Sequence, residues 1–209
     1  ATGSPTSYSA TGLPPGLALN PLTGAISGTP TRAGTSLVIL GATNSAGSAT
    51  GLLTLVVTPV SSIVNVSARM NITTTESTLT VGFVISGNGP KTVLIRGVGP
   101  TLALFGVTGV LADPTLRLDG PNGVLIAQND NWESTTIAGG AATIASATAS
   151  VGAFALSPAS RDAVLLQSLN PGTYTVQIGG GTGVVLVEAY DAGGEGGARL
   201  VNVSARTRA

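Results

Sequence analysis

Residues 63–72, IVNVSARMNI, alternate with a period of two. Val64, Val66, Ala68 and Met70 fall on one face, and Asn65, Ser67, Arg69 and Asn71 fall on the other. That pattern predicts a half-buried antiparallel strand, because successive side chains of a strand point to opposite sides of its sheet. The first six residues of the pattern after Ile63, VNVSAR at 64–69, return unchanged at 201–206. A strand-forming segment therefore occurs twice, once early and once at the C-terminal end.

Working outward, similar runs recur. Thr78–Ser86, Thr92–Arg96, Thr115–Leu118, Val124–Gln128, Ala163–Ser168, Thr173–Ile178 and Val184–Tyr190 are predicted strands, separated by Gly, Pro and Asn turn signals. The Ala-rich stretch Ile137–Ser150 is the one candidate for a short helix, weakened by its Thr and Gly residues. Residues 1–59 differ in composition: Arg32 is their single charge, and the turn formers Gly12, Pro14, Pro15, Gly16, Asn20, Pro21, Gly24, Gly28 and Pro30 crowd together. The runs Ala25–Ser27, Ser36–Ala42 and Ala49–Thr58 lie between and after them, as in a small β-sandwich. The expected class is all-β: two tandem β-sandwich domains with at most one short helix, which the resemblances given below make Ig-like and then jelly-roll-like. The expected boundaries are 1–59 and 60–197, with 198–209 as a separate C-terminal strand.

Composition excludes several function classes. Nine basic and nine acidic residues cancel, so no electrostatic footprint for nucleic acid or anionic membrane exists. No cysteine and no histidine is present, which removes disulfides, thiolate metal sites and the usual general base. The apolar runs are too short to span a bilayer as a helix. Hydrophobic residues at 43% still suffice for a core. Small residues, a single lysine (Lys91) and no cysteine fit a bacterial protein exposed outside the cell.

Two resemblances add to this reading. The words ATGLPPGLALNPLTGAISGTPTRAGT (10–35) and LVILGATNSAGSATGLLTLVV (37–57) resemble the Ig-like domain repeated in bacterial surface proteins, over residues 1–58. Members of that family usually carry one more strand before this point, so the resemblance implies a sandwich lacking its first strand, with an apolar groove and an unpaired edge. The words GFVISGNGPKTVLIRGVGPTL, LADPTLRL, NDNW and PGTYTVQIGG, between residues 62 and 192, resemble a repeat module of large secreted bacterial proteins. The later half, PTLRLDGPNGVLIAQNDNW and LNPGTYTVQI, is also similar to the jelly-roll pre-peptidase C-terminal domain. In the repeat module LVNVSAR opens a unit, which implies that residues 200–206 begin another.

Carboxylates gather in one region, Asp113, Asp119, Asp130 and Glu133, with Asn129 and Asn131. Oxygen-rich clusters suit Ca²⁺, and Asp113, Asp119 and Asp130 are the candidate ligands. The same Asn-Asp-Asn run is ordinary turn chemistry. No catalytic template fits: a serine nucleophile would need Lys91 as base, and that residue is expected in a turn beside Pro90. The Gly clusters lack the Walker and dinucleotide patterns, and Trp132 is expected as a core anchor. Asn65, Asn71 and Asn202 match N-x-S/T by sequence alone. The chain is thus expected to be no enzyme and to need no cofactor other than the candidate Ca²⁺. The leading functional expectation is a structural subunit of an extracellular filament or surface layer. It would self-associate head to tail by donating Val201, Asn202, Val203, Ser204, Ala205 and Arg206 to a neighbour, with Gly193–Gly197 as tether. The alternative is an adhesive or carbohydrate-binding module of a larger repeat protein.

Overall fold

The computed structural model describes residues 3–58, 63–194 and 197–208. The chain divides into two compact units, Ala1–Ser61 and Ser62–Ala209. The boundary residue Pro59 lies outside the described residues.

Unit 1 holds β1 (Ser7–Thr11), β2 (Leu17–Leu19), β3 (Ile26–Gly28), β4 (Gly34–Asn44) and β5 (Gly47–Val57). They form a three-stranded sheet, β1-β4-β5, and a β2-β3 hairpin. The hairpin turn is built by Asn20, whose side-chain oxygen accepts from the N–H groups of Leu22 and Thr23 at 2.9 and 3.2 Å. Gly28 is demanded by a close approach, since a Cβ there would lie 2.1 Å from the Gly16 carbonyl. Sequence reading missed β1 and β2, both short and polar-interrupted. Among the described residues of unit 1, Val38 is the one aliphatic side chain fully shielded from water. Leu37, Ile39, Leu52 and Val56 on the opposite face of the β4–β5 ladder are 48–71% exposed.

Unit 2 contains β6 (Asn65–Ile72), β7 (Thr78–Ser86), β8 (Lys91–Val98), β9 (Thr115–Asp119), β10 (Leu125–Asn129), β11 (Ala163–Leu169), β12 (Gly172–Gly179), β13 (Gly183–Gly194) and β14 (Arg199–Arg208), with one helix, α1 (Gly140–Ser150). Two sheets form, ordered β10-β9-β12-β7-β14 and β11-β8-β13-β6. Leaving β14 aside, these are the two four-stranded sheets of an eight-stranded jelly roll. The main core lies between them: Leu79, Val81, Phe83 and Ile85 of β7 and Tyr174, Val176 and Ile178 of β12 face Val93, Ile95, Val185 and Val187. Phe83 and Tyr174 are cross-strand partners with rings stacked 5.4 Å apart.

The four-stranded sheet is covered on its second face as well. Leu94, Val164 and Tyr190 meet Ile144 of α1 and Trp132 there. This double burial explains why β8 and β13 read as continuous apolar runs rather than as alternation. Lys91 is the first residue of β8, not part of a turn, and it is buried with its ammonium 2.9 Å from Asp191.

Residues 198–209 are expected as a separate strand for a neighbour, and within the single chain β14 pairs antiparallel with β7 of its own unit, from Arg199↔Ser86 to Arg208↔Thr78. The cause is apolar: Leu200 is fully buried, Ala198 is 5% exposed, and Val203 packs on the main core. Withdrawing Leu200 alone would cost about 2 kcal/mol in lost burial. Part of the expected tether is likewise sheet, because β13 continues through Gly194.

Candidate functional site

Charged side chains are scarce, so the places where unit 2 puts them define the candidate sites. On the outer face of the four-stranded sheet, Arg96 stands directly opposite Glu188. Their Nε and Oε2 atoms are 3.1 Å apart, and Arg96 is fully buried. Its Nη1 donates to the Phe154 carbonyl at 2.8 Å, and its guanidinium carbon lies 4.3 Å from the Phe154 ring centroid. Tyr190 donates its hydroxyl to Glu188 at 2.8 Å. Burial, then the bond to Glu188, pushes the Tyr190 hydroxyl up to about 12, while burial lowers Arg96 against the opposing pull of Glu188.

A second buried charge, Asp162, precedes β11. Its carboxylate accepts from Gly99 N–H at 2.8 Å, from Thr101 N–H at 3.3 Å, from the Thr101 hydroxyl, and from the Ser160 hydroxyl at 2.6 Å. Its backbone carbonyl takes the Trp132 N–H at 2.7 Å. One residue thereby ties the exit of β8, the loop after β10 and the entry to β11. Arg96, Glu188 and Asp162 all face the framework rather than a cleft. None was singled out from the sequence. The available signal was one lone charge inside each of two apolar runs, Arg96 in VLIRGV and Glu188 in VVLVEAY.

The candidate Ca²⁺ ligands are placed apart in role. Asp113 pairs with Arg161 at 2.9 Å. Asp119 is buried, bound by Arg117 at 2.7 Å and by Gln177 at 3.2 Å. Asp130 is exposed at the end of β10, and Glu133 accepts from Ala159 N–H at 3.1 Å. Among the described residues, no three acidic side chains converge as a metal site. Asn129 serves local structure, holding the Val164 N–H at 2.9 Å and donating to the Asn131 carbonyl at 3.0 Å.

Beside this region an open cleft of about 460 Å³ is lined by Thr115, Arg117, Gln128, Asn129, Asp130 and Ser134. Trp132 points elsewhere, into the second core, with its indole N–H on the Ser157 carbonyl at 3.2 Å. At the tail, Asn202, Ser204, Ala205 and Arg206 are exposed, Val201 is 41% exposed, and Val203 is half-buried.

With both units described, comparison with known proteins adds one point. Residues 1–58 match the family described as "Putative Ig domain". The match lies within unit 1 and covers less than half of the 209-residue chain, so it characterises the Ig-like unit and leaves unit 2 to its own geometry. Searches of curated proteins and of solved structures return no match. The jelly-roll reading of unit 2 therefore stands on its strand order. Among the described residues no helix is long and apolar enough to cross a membrane.

Proposed function

We propose that the chain is a non-catalytic structural segment of an extracellular or cell-surface bacterial protein, in which like β-sandwich units are joined end to end. The observation that carries this reading is the direction of the buried charges. Arg96, Glu188, Asp162 and Lys91 each bind the sheets or the loops between them. In this reading the buried ion pair serves to fix one arrangement of strands. The Ig-like family, found in bacterial surface proteins, supports the location. Assembly into a homopolymer is the finer form of this reading. Because β14 is held on its own β7, donation in the simple sense would require the strand to exchange partners between copies.

A second reading rests on the polar cleft. Arg117, Gln128, Asp130 and Ser134 offer the donors and acceptors that sugar hydroxyls take, and the carbohydrate-binding alternative would sit there. A panel of glycans and glycosidic substrates tests both readings on the purified chain. The structural reading expects neither turnover nor saturable binding. Saturable binding that disappears in Arg117→Ala and Asp130→Ala, or any hydrolysis, overturns it in favour of the cleft. Sedimentation velocity and negative-stain microscopy then separate a polymer from a segment that stays monomeric.

A further inference from the structure

The jelly roll is complete in eight strands, β6 to β13, and β14 is a ninth. That ninth strand carries the hexapeptide of the first: VNVSAR is 64–69 in and just before β6, and 201–206 in β14. The two copies use different neighbours. β6 pairs with β13 in one sheet, and β14 pairs with β7 in the other.

They also use opposite edges of the hexapeptide. The Val64 carbonyl accepts from Asp191 N–H at 2.9 Å, so Val64 faces β13. Main-chain groups alternate along a strand, so Val66 and Ala68 face β13 too, and Ser67 faces away. In the tail, the Leu200 carbonyl accepts from Ile63 N–H at 3.2 Å and is therefore turned from β7. The register shift between Leu200 and Asn202 resets the alternation. Asn202, Ser204 and Arg206 then face β7, leaving the main-chain groups of Val203 and Ala205 on the outer edge. Val203 and Ala205 are the counterparts of Val66 and Ala68. The positions that bind β13 in the first copy are the positions left open in the second.

We propose that β14 is a shared strand. One edge closes the five-stranded sheet of this unit, and the other receives the β13 of a second jelly-roll unit of the same kind, for which β14 is the first strand. The two sheets would run on as one through the hexapeptide, which gives a fixed rather than a flexible joint between units. The sharing deepens the structural reading above. It concerns strand pairing alone, so its failure leaves the test by glycans and substrates untouched.

The experiment extends the full chain so that residues 1–206 are followed directly by residues 70–208, leaving one hexapeptide between two units. A reference chain carries residues 1–208 followed by 62–208, so each unit has its own copy. Amide hydrogen exchange is read on the first β7 and the second β13. The expected result is protection of both within about threefold of the reference. Loss of protection at either strand, or failure of either unit to fold, shows that one hexapeptide cannot serve both and overturns the proposal. A proline scan supplies the polarity. In the extended chain, Ala205→Pro removes an outward N–H and should expose the second β13 while sparing the first β7, and Ser204→Pro should do the reverse. The same response from both variants would also overturn it.

Discussion

Substituting Arg96 by Met removes three contacts at once: the 3.1 Å ion pair with Glu188, the bond to the Phe154 carbonyl, and the cation–π contact 4.3 Å from the Phe154 ring. A charged hydrogen bond contributes about 1.5–3 kcal/mol, and a desolvated cation–π contact about 2 kcal/mol. These overlap, and the dominant cost is the carboxylate of Glu188, left 5% exposed with the Tyr190 hydroxyl as its remaining partner. Breaking a buried pair in this way costs about 3–5 kcal/mol. For a unit of this size that corresponds to a fall in Tm of about 10 °C. Replacing both members, Arg96→Met with Glu188→Leu, removes the orphaned charge. Adding Tyr190→Phe removes the hydroxyl that would then lack an acceptor. The multiple variant should return to within about 1–2 kcal/mol of the parent.

Trp132 makes the assay specific. It is the one tryptophan in the chain and lies in the second core of unit 2, so its fluorescence in urea reports that unit without interference from unit 1. A double-mutant cycle on Arg96 and Glu188 should give a coupling of about 2 kcal/mol or more. Additive single costs, or a cost below about 1 kcal/mol for Arg96→Met, would refute the reasoning, because the pair would then be hydrated rather than locked.

Three further outcomes are expected. Leu200→Ala should destabilise unit 2 by about 2–5 kcal/mol in the same urea assay, because Leu200 is fully buried; an effect near zero would mean that β14 leaves β7 in solution. Tyr190 titrates higher in the folded state than in the unfolded chain, so its contribution is complete below pH 10 and is lost as pH rises to about 12; Tm should fall across that window in the parent and less in Tyr190→Phe. Residues 1–61 expressed alone should aggregate or stay unfolded, given Val38 as the one fully shielded aliphatic side chain among their described residues and four exposed apolar residues on β4 and β5; cooperative unfolding of a soluble fragment would refute this.

Alternation was legible wherever a strand has one wet face. β7 is bounded as its pattern predicts, from Thr78 to Ser86, because Leu79, Val81, Phe83 and Ile85 each meet the core while their neighbours do not. The short helix was legible too, as an Ala-rich run, even though α1 begins three residues later than the run does. β1 and β2 were not, because Ser7–Thr11 and Leu17–Leu19 carry too few apolar residues for a period to register, and their pairing is fixed by β4 and by the Asn20 turn. The buried charges were hidden for a related reason. A lone Arg in VLIRGV has the same sequence appearance whether its strand lies at an edge or under a helix, and only the layer formed by α1, Trp132 and Phe154 makes it interior. The acidic run invited the opposite error. Proximity in sequence suggested convergence, but Asp119 sits inside a β strand and turns to Arg117 and Gln177, whereas Asp130 lies beyond the end of the next strand.

The repeated hexapeptide shows what pattern can and cannot specify. Its alternation states that it is a strand with Val and Ala on the inner face; Val66 and Ala68 follow this in the first copy and Val203 in the second, while Val64, Val201 and Ala205 stay exposed. Nothing in six residues states which neighbour it takes, because main-chain pairing is indifferent to side-chain identity and the two edges of a strand differ only in which residues present N–H and C=O to them. The choice falls to what flanks each copy. Ile72, at the end of β6, is buried among the core residues and continues through a short connection into β7, which places the first copy beside β13. Leu200 is buried just before the second copy, and the register shift after it turns the opposite edge toward β7. A segment whose partner is set by its flanks is able to take both partners when it is flanked on both sides, and in this chain the sequence that follows Arg69 is the one that would make Arg206 the start of another unit.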